Sequence, residues 1–413
     1  MKRTLLWLSI AMMSSASVFA QKSNVSKAGN LLYQDPVDYA KAQEYIEMAK
    51  MDSTTAKDAK TWYVAGRIGY SMANKEVQKM YLQQQPDNEA MYTGLDMMYT
   101  NYVQADKYDG VVDKKGNVKY KQRKTIKNDF KEMLMNYYNV GGALFNLHAF
   151  DKSFAMFDEF VKIVELPMFD DEKKPIVADS TFQQVKYYAA IAASRSEQHE
   201  VAIKYASEVA KANCNESANA YQLLAAEYMA TADTANYLNT LQQACELYPT
   251  NPYFVGTIVN YYVANAQPDK AIEYIDAEIN RNPANIEYIN VKASLLAMQL
   301  NRFEEARQVL QQALAIDPKN INSLYEMGRA WAFEGDYIQE KAQDLTSNEA
   351  YKKEVARAKD MYREALKYYE PLRTEMAADN QLRYDLLQNM KVLYLRLEDT
   401  AKYQEVNAEL QTM

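Results

Sequence analysis

The sequence predicts an all-helical chain built from stacked antiparallel helix pairs. Its 413 residues include only 11 Gly and 10 Pro, too few for the many turns of a β-rich fold. Four first-helix positions, Tyr228, Tyr262, Ala297 and Trp331, fall 34, 35 and 34 residues apart. A helix pair that repeats at this period cannot bury its apolar stripe alone, so the pattern indicates a solenoid in which neighbouring pairs cover one another.

The clearest repeat unit runs from Glu287 to Pro318. Its first half, EYINVKASLLAMQLN, and its second half, FEEARQVLQQALAIDP, both carry apolar residues at helical spacing, and a turn at Asn301 separates them. Small residues on the inner face let neighbouring helices approach closely. The positions that repeat this second-half pattern are Ala306, Leu310, Ala313 and Pro318 in this unit, and Ala271, Ile275, Pro283, Leu241, Ala244 and Pro249 in the two units before it.

These units resemble the tetratricopeptide repeat family. The resemblance is carried by Gly328 and Trp331 with Tyr337, by Phe303 to Ala306 with Ala313 and Pro318, and by Trp62 with Gly66. It implies a right-handed superhelix whose first helices line a concave groove that usually binds peptides or proteins. The chain departs from the family at Asn290 and Val255, where Trp is frequent, and at Cys214, where Pro is frequent. The long insertions and the tail KYQEVNAEL are similar to exported repeat proteins of Gram-negative bacteria.

The first 20 residues predict a signal peptide. Lys2 and Arg3 precede an apolar run from Leu5 to Met13, and small residues end the segment before Gln21. A membrane anchor is the alternative, but the run is shorter than the ~20 residues that span a bilayer. No Cys follows for lipid attachment, and no later stretch is apolar enough to cross a membrane. We therefore expect export to the periplasm or outer envelope, or secretion.

The remaining chain is expected to fall into repeats interrupted by three insertions. A helix over 35–50 should start at an Asp35 cap, residues 110–120 should form a small β-hairpin, and 168–178 should be a lengthened loop. Residues 338–357 should extend the helices beside them, because they hold good helix formers. The expected segments are divergent repeats at 21–133, repeat-like units at 134–214, regular units at 218–371 and a capping unit at 372–413.

The sequence predicts neither catalysis nor a metal or cofactor site. The two histidines, His148 and His199, fall in turns far apart and are expected to be solvated. No recognisable catalytic motif occurs. The acidic run from Asp170 to Glu172 lacks the alternating oxygen ligands of a calcium loop. Cys214 and Cys245 permit one disulfide in an exported protein, and two free thiols are the alternative.

Charge argues against a nucleic-acid partner, because the chain has a formal net charge of −8 and nucleic acid requires a basic face. One dense basic cluster is the exception. We interpret it as a solvated surface, with an acidic partner or anionic lipid headgroups as the alternatives. The cluster consists of Lys114, Lys115, Lys119, Lys121, Arg123, Lys124 and Lys127.

The predicted function is a non-catalytic scaffold that holds a protein or peptide partner in the groove. A surface glycan-binding protein on the same scaffold is the alternative. The family's lysine clamp for acidic chaperone tails is missing, and the sequence does not specify the oligomeric state. First-helix positions that the resemblance turns towards the groove are Tyr187, Arg195, Asn219, Gln222, Tyr253, Asn260, Tyr288, Met298, Asn322, Tyr325, Arg329 and Phe333. Tyr side chains suit peptide recognition, and Asn and Gln can bond a peptide backbone.

Overall fold

The computed structural model describes residues 22–177, 179–377 and 380–412. The predicted signal peptide at 1–20 lies outside these residues. The chain divides into two compact units, of which unit 1 ends at Thr234 and unit 2 begins at Ala235. No helix within the described ranges is long and apolar enough to cross a membrane.

Unit 1 is built from helices with one two-stranded sheet. Its elements, in chain order, are α1 (22–31), α2 (Tyr39–Met51), α3 (Ala59–Tyr81), α4 (Asn88–Asp109), β1 (Val111–Val112), β2 (Val118–Lys119), α5 (Arg123–Asn146), α6 (Phe150–Glu165), a 3₁₀ turn (Pro167–Phe169), α7 (Lys173–Val177), α8 (Ser180–Arg195), α9 (His199–Ala210) and α10 (Ser217–Ala230).

Unit 2 continues as helical hairpins. Its helices are α11 (Thr234–Leu247), which starts at the unit boundary, α12 (Pro252–Ala264), α13 (Pro268–Arg281), α14 (Ile286–Met298), α15 (Phe303–Ile316), α16 (Ile321–Ala342), α17 (Asn348–Glu375), α18 (Leu382–Arg396) and α19 (Thr400–Leu410). The fold class predicted from the sequence is confirmed in that consecutive α-helices pack on one another and a small β-hairpin interrupts them.

The small residues of the repeat lie at the helix contacts. Ala244, Ala271, Ala306 and Ala313 are fully buried, as is Leu310 between the last two. A buried Ala at these places lets one helix pack closely on the next, whereas a larger side chain would overpack the contact. The spacing that predicts the repeat therefore marks the contact surfaces of the hairpins.

Short polar residues start many of the helices. The side chains of Asp58, Asp87, Asn251 and Asn285 each accept a hydrogen bond from a backbone N–H in the first turn that follows. The predicted cap at Asp35 is wrong. Helix α2 starts four residues later, where the Asp38 carboxylate accepts from the backbone N–H of Lys41 at 3.0 Å and supplies the same capping chemistry.

Two insertions form as predicted. In the β-hairpin, Val111 pairs with Lys119 and Val112 pairs with Val118, and Gly116 in the turn has a φ of +83° that only glycine adopts without strain. In the 338–357 insertion, α16 continues to Ala342 and α17 already starts at Asn348.

The insertion at 168–178 is not a simple loop, which corrects the prediction. Its described residues include the end of the 3₁₀ turn and all of α7. Met168 and Phe169 are buried in the core of unit 1, so apolar packing holds the segment against the helices. The acidic residues beside them are also engaged: Lys127 binds Asp171 at 2.7 Å, and Lys131 binds Glu172 at 2.9 Å.

Candidate functional site

The regular repeats of unit 2 form a groove. Four first helices, α12, α14, α16 and α18, contribute the walls of a cavity of about 520 Å³. We call this cavity the main groove. Its lining residues are Pro252, Glu287, Asn290, Val291, Ser294, Asn322, Tyr325, Glu326, Arg329, Phe333, Leu382, Asp385, Gln388 and Asn389.

Asn290 is a buried polar residue in the wall of the main groove. It is 6% exposed, and its Oδ1 accepts a hydrogen bond from the Ser323 hydroxyl at 2.8 Å. The Ser323 hydroxyl also lies 3.0 Å from the Oδ1 of Asn320, which accepts from the backbone N–H of Ser323 at 2.9 Å. The Asn290 Nδ2 has no hydrogen-bond partner among the described residues. A buried amide N–H₂ without a partner is unfavourable. The nitrogen is shielded from solvent, so a ligand carbonyl would bond it only after the side chain shifts towards the groove.

Further amides of the main groove are held in place by neighbours. Asn389 donates from Nδ2 to the Tyr325 hydroxyl at 2.8 Å, which joins α18 to α16. Asn322 donates from Nδ2 to Glu287 Oε1 at 3.4 Å, which joins α16 to α14. These contacts orient the side chains while part of each amide's hydrogen-bonding capacity remains for a ligand.

The main groove is acidic on balance. Its lining holds three carboxylates, Glu287, Glu326 and Asp385, against one guanidinium, Arg329. Arg329 is paired with Glu326 at 2.6 Å. Burial raises the pKa of Glu326 above its ordinary value, although the neighbouring guanidinium opposes this effect. Glu287 and Asp385 are thus the carboxylates that remain for a cationic ligand group.

A smaller cavity of about 270 Å³ continues the main groove along α12 and α14. Val291 and Ser294 line both cavities, so the two form one continuous channel. The remaining residues around the smaller cavity are Gly256, Val259, Asn260, Leu295, Met298 and Gln299. The combined channel runs across successive repeats.

The structure brings together six of the predicted groove residues. Asn322, Tyr325, Arg329 and Phe333 line the main groove, and Asn260 and Met298 line its continuation. Two others lie elsewhere. Tyr288 is 3% exposed, and its hydroxyl donates to the backbone carbonyl of Cys245 at 3.4 Å, so it is part of the core. Tyr253 is exposed and lines neither cavity.

The four predicted positions in unit 1 are spread over α8 and α10. Arg195 and Asn219 are exposed, while Tyr187 and Gln222 are half-buried. Sequence reasoning missed a separate apolar cavity in this unit, of about 600 Å³. Its walls come from α5, α6 and α8 and include Tyr138, Phe145, Phe157, Tyr188 and Ile191.

Sequence reasoning also missed the contribution of α18 to the main groove. Asn389, which contacts Tyr325, follows it by 64 residues rather than about 34. The lengthened α16 and α17 shift the repeat register, so spacing alone does not point to Asn389. The sequence did indicate that Asn290 is unusual, because a polar amide stands where the family often has an apolar Trp.

The two histidines lie outside the main groove. His148 lies in a turn, but the prediction of a solvated turn is wrong for His199, which starts α9 and pairs through Nδ1 with the buried Glu227 carboxylate at 2.8 Å. Within the described ranges, no group of three or more His, Cys, Asp or Glu is placed to hold a metal ion.

Cys214 and Cys245 are free thiols in the structure. Each sulfur has local contacts. The Cys214 Sγ lies 3.5 Å from the Ser217 hydroxyl, and the Tyr274 hydroxyl donates to the Cys245 Sγ at 3.6 Å. Burial raises the pKa of the Cys245 thiol to about 11.

Comparison with known proteins identifies the repeat. Residues 296–332, which run from the end of α14 through α15 into α16, match the family model described as a TPR repeat. No match is found among curated proteins.

Several solved repeat proteins are similar to the chain. A tetratricopeptide repeat protein from Parabacteroides merdae has 13% identity and a TM-score of 0.35, covering 56% of this chain and 79% of that one. The C-terminal part of a TPR protein from Cytophaga hutchinsonii has 12% identity and a TM-score of 0.32, covering 67% and 94%. A TPR protein from Bacteroides fragilis has 18% identity and a TM-score of 0.25, covering 68% and 98%.

The family match covers α15, whose Ala306 and Ala313 are fully buried, and the neighbouring hairpins repeat their spacing. Repeats of this type mediate protein–protein interaction, and the fold is typically a non-catalytic scaffold. The chain carries a tetratricopeptide repeat at residues 296–332.

Proposed function

We propose that the chain is an exported interaction scaffold of the cell envelope, and that the main groove of unit 2 binds an extended peptide segment of a partner protein. The observation that carries the proposal is the buried Asn290 amide, whose Nδ2 lacks a partner among the described residues and which lines the groove. A peptide carbonyl would supply the missing acceptor after a small shift of the Asn290 side chain, whose Oδ1 accepts from Ser323.

The shape and composition of the channel support an extended ligand. The main groove and its continuation lie along four successive first helices, α12, α14, α16 and α18, so a peptide lying along them would contact several repeats. Amide side chains such as Asn322, Gln388 and Asn389 can pair with both the N–H and the carbonyl groups of a peptide backbone. Backbone contacts of this kind give affinity with limited dependence on the peptide sequence.

The carboxylates of the main groove favour a peptide that contains a basic residue. Glu287 and Asp385 lie on the main groove, and the single guanidinium there is paired with Glu326. A Lys or Arg side chain on the ligand would gain from these carboxylates, whereas an acidic side chain would be repelled. The proposed ligand is therefore a peptide segment with at least one basic residue.

Selection from a random peptide library displayed on phage tests the proposal. We expect enriched peptides to carry Lys or Arg, and hydrogen exchange to slow in α14, α16 and α18 when such a peptide binds. Failure to enrich any peptide, or protection confined to second helices such as α15, would contradict the proposal. A hit on a glycan array in place of a peptide would favour the glycan alternative.

Export is proposed from the sequence of the first 20 residues. Their basic start, apolar run and small residues before Gln21 have the pattern that signal peptidase recognises. Mass spectrometry of the protein recovered from the periplasm of an expressing Gram-negative cell should give a first residue at Gln21. A full-length chain retained in the cytoplasm would contradict export.

A further inference from the structure

The β-hairpin of unit 1 combines exposed apolar residues with a dense group of lysines. We define the hairpin tip as residues 110–121, with β1, β2 and the turn between them. Val111, Val112 and Val118 are each at least half exposed, at 56%, 64% and 50%. Large apolar side chains clustered on a protrusion usually mark an interaction surface.

The strand register places part of this apolar surface on one face. Val112 and Val118 are cross-strand partners and therefore share a face. Tyr120 follows Val118 by two residues and lies on the same side. A Cβ placed on Gly110 would lie 3.2 Å from Val118 and 3.4 Å from Tyr120, which agrees with that placement.

The base of the hairpin is anchored firmly on α4 and α5. Arg123 forms a two-point ion pair with Asp106, at 2.6 and 2.7 Å, and its guanidinium lies over the Tyr120 ring, 3.3 Å from the centroid. The Asp109 carboxylate accepts from the backbone N–H groups of Gln122 and Arg123. The tip is thus presented by a fixed base and does not depend on a ligand for its position.

Positive charge surrounds the valines. Lys114, Lys115, Lys121 and Lys124 are exposed and form no ion pair with any described residue. The Lys119 Nζ lies 3.5 Å from the Asp113 Oδ2, and Lys127 forms ion pairs with Asp171 and Glu172. The unpaired lysines stand in contrast to a chain with a formal net charge of −8.

We propose that the hairpin tip docks the protein on an anionic lipid bilayer. Lysines near such a surface bind its phosphate headgroups, and valines on the same protrusion can enter the boundary between headgroups and acyl chains. An acidic protein is a weaker fit, because a stable protein interface takes about 20–30 residues on each side. The tip offers 12 residues, which is enough for headgroup contacts and shallow insertion.

Vesicle co-sedimentation of the full chain tests the proposal. The probes are vesicles of phosphatidylcholine alone and vesicles with one third phosphatidylglycerol. We expect binding only to the anionic vesicles, with a loss at high salt. Each lysine near the surface contributes roughly a fivefold gain in binding, so Lys114→Gln with Lys115→Gln should weaken it about 25-fold. Val112→Ser with Val118→Ser should weaken it several-fold at unchanged charge.

A matched control variant distinguishes an effect of the hairpin lysines from an effect of the net charge of the protein. Lys352 and Lys353 are adjacent, exposed residues of α17, and Lys352→Gln with Lys353→Gln removes the same charge from unit 2. This variant should bind anionic vesicles like the wild type. Equal weakening in both lysine variants, or equal binding to neutral vesicles, would overturn the proposal. Binding of soluble polyglutamate through Lys114 and Lys115, with no vesicle binding, would overturn it in favour of an acidic protein partner.

Discussion

Gly328 of α16 lies directly against the ring of Tyr369 in α17. A Cβ placed on Gly328 would stand 2.6 Å from the Tyr369 Cδ1, closer than packed atoms approach one another. Tyr369 is itself fully buried and stacks on Tyr325, which lines the main groove, with 5.7 Å between ring centroids. The glycine therefore allows the close helix contact that supports one wall of the groove.

Gly328→Ala should destabilise the protein by about 1–3 kcal/mol, because the added methyl group overpacks the contact with Tyr369. Gly256→Ala is the matched control, since a Cβ there meets no atom within 4 Å and Ala is the better helix former. It should raise the free energy of unfolding by about 0.5–1 kcal/mol. Urea unfolding followed by circular dichroism gives both values, and equal changes in the two variants would refute the packing argument.

Glu159 should make stability fall as the pH rises. Burial, reinforced by Asp96 and Asp158, raises its pKa to about 10 in the folded chain. Between the ordinary Glu value of about 4.3 and 10, the folded state holds a proton that the unfolded state releases, so the free energy of unfolding decreases with pH. Glu159→Gln mimics the protonated acid and should be more stable than the wild type by at least about 1 kcal/mol near pH 8.

The control for this titration is Glu165→Gln, which changes an exposed residue at the end of the same helix. Melting temperatures measured from about pH 5 to about pH 9 should fall in parallel for this variant and the wild type, and should fall less for Glu159→Gln. Parallel curves for all three proteins would show that Glu159 is ionised in the folded state.

The two thiols should differ in reactivity. Cys214 is half-buried, whereas Cys245 is buried and its pKa is raised to about 11, so little reactive thiolate is present near neutral pH. Iodoacetamide should label Cys214 in the native protein and Cys245 only after unfolding. Peptide mass spectrometry identifies the labelled residue. If neither cysteine were labelled and the mass of the intact protein were two hydrogens below that of the reduced chain, the two cysteines would form a disulfide.

The helices and their contacts could be predicted because they depend on local patterns. The 34-residue period, the small residues such as Ala306 and Ala313, and the β-prone runs beside Gly116 each fix structure over a short stretch of chain. The start of α2 shows the limit of such patterns, since Asp35 and Asp38 offer the same capping group and only the folded chain distinguishes them.

The groove was harder to predict because its residues come from helices distant in sequence. Tyr288 has the spacing of a groove residue, yet its ring is buried and its hydroxyl bonds the Cys245 carbonyl. Asn389 reaches Tyr325 only because the long α16 and α17 carry the chain back to the same face. Partners such as Glu227 for His199 depend likewise on tertiary packing, and the sequence contains no local signal for them.

The affinity of a library-selected peptide for Asn290→Ala tests the central claim most directly. The variant should fold, because Ser323 keeps its hydrogen bond to Asn320. Fluorescence anisotropy should show a Kd raised about tenfold, as one buried hydrogen bond is lost. Gln312→Ala, which removes an exposed amide from α15, should leave the Kd unchanged. An unchanged Kd for Asn290→Ala would contradict peptide binding in the main groove.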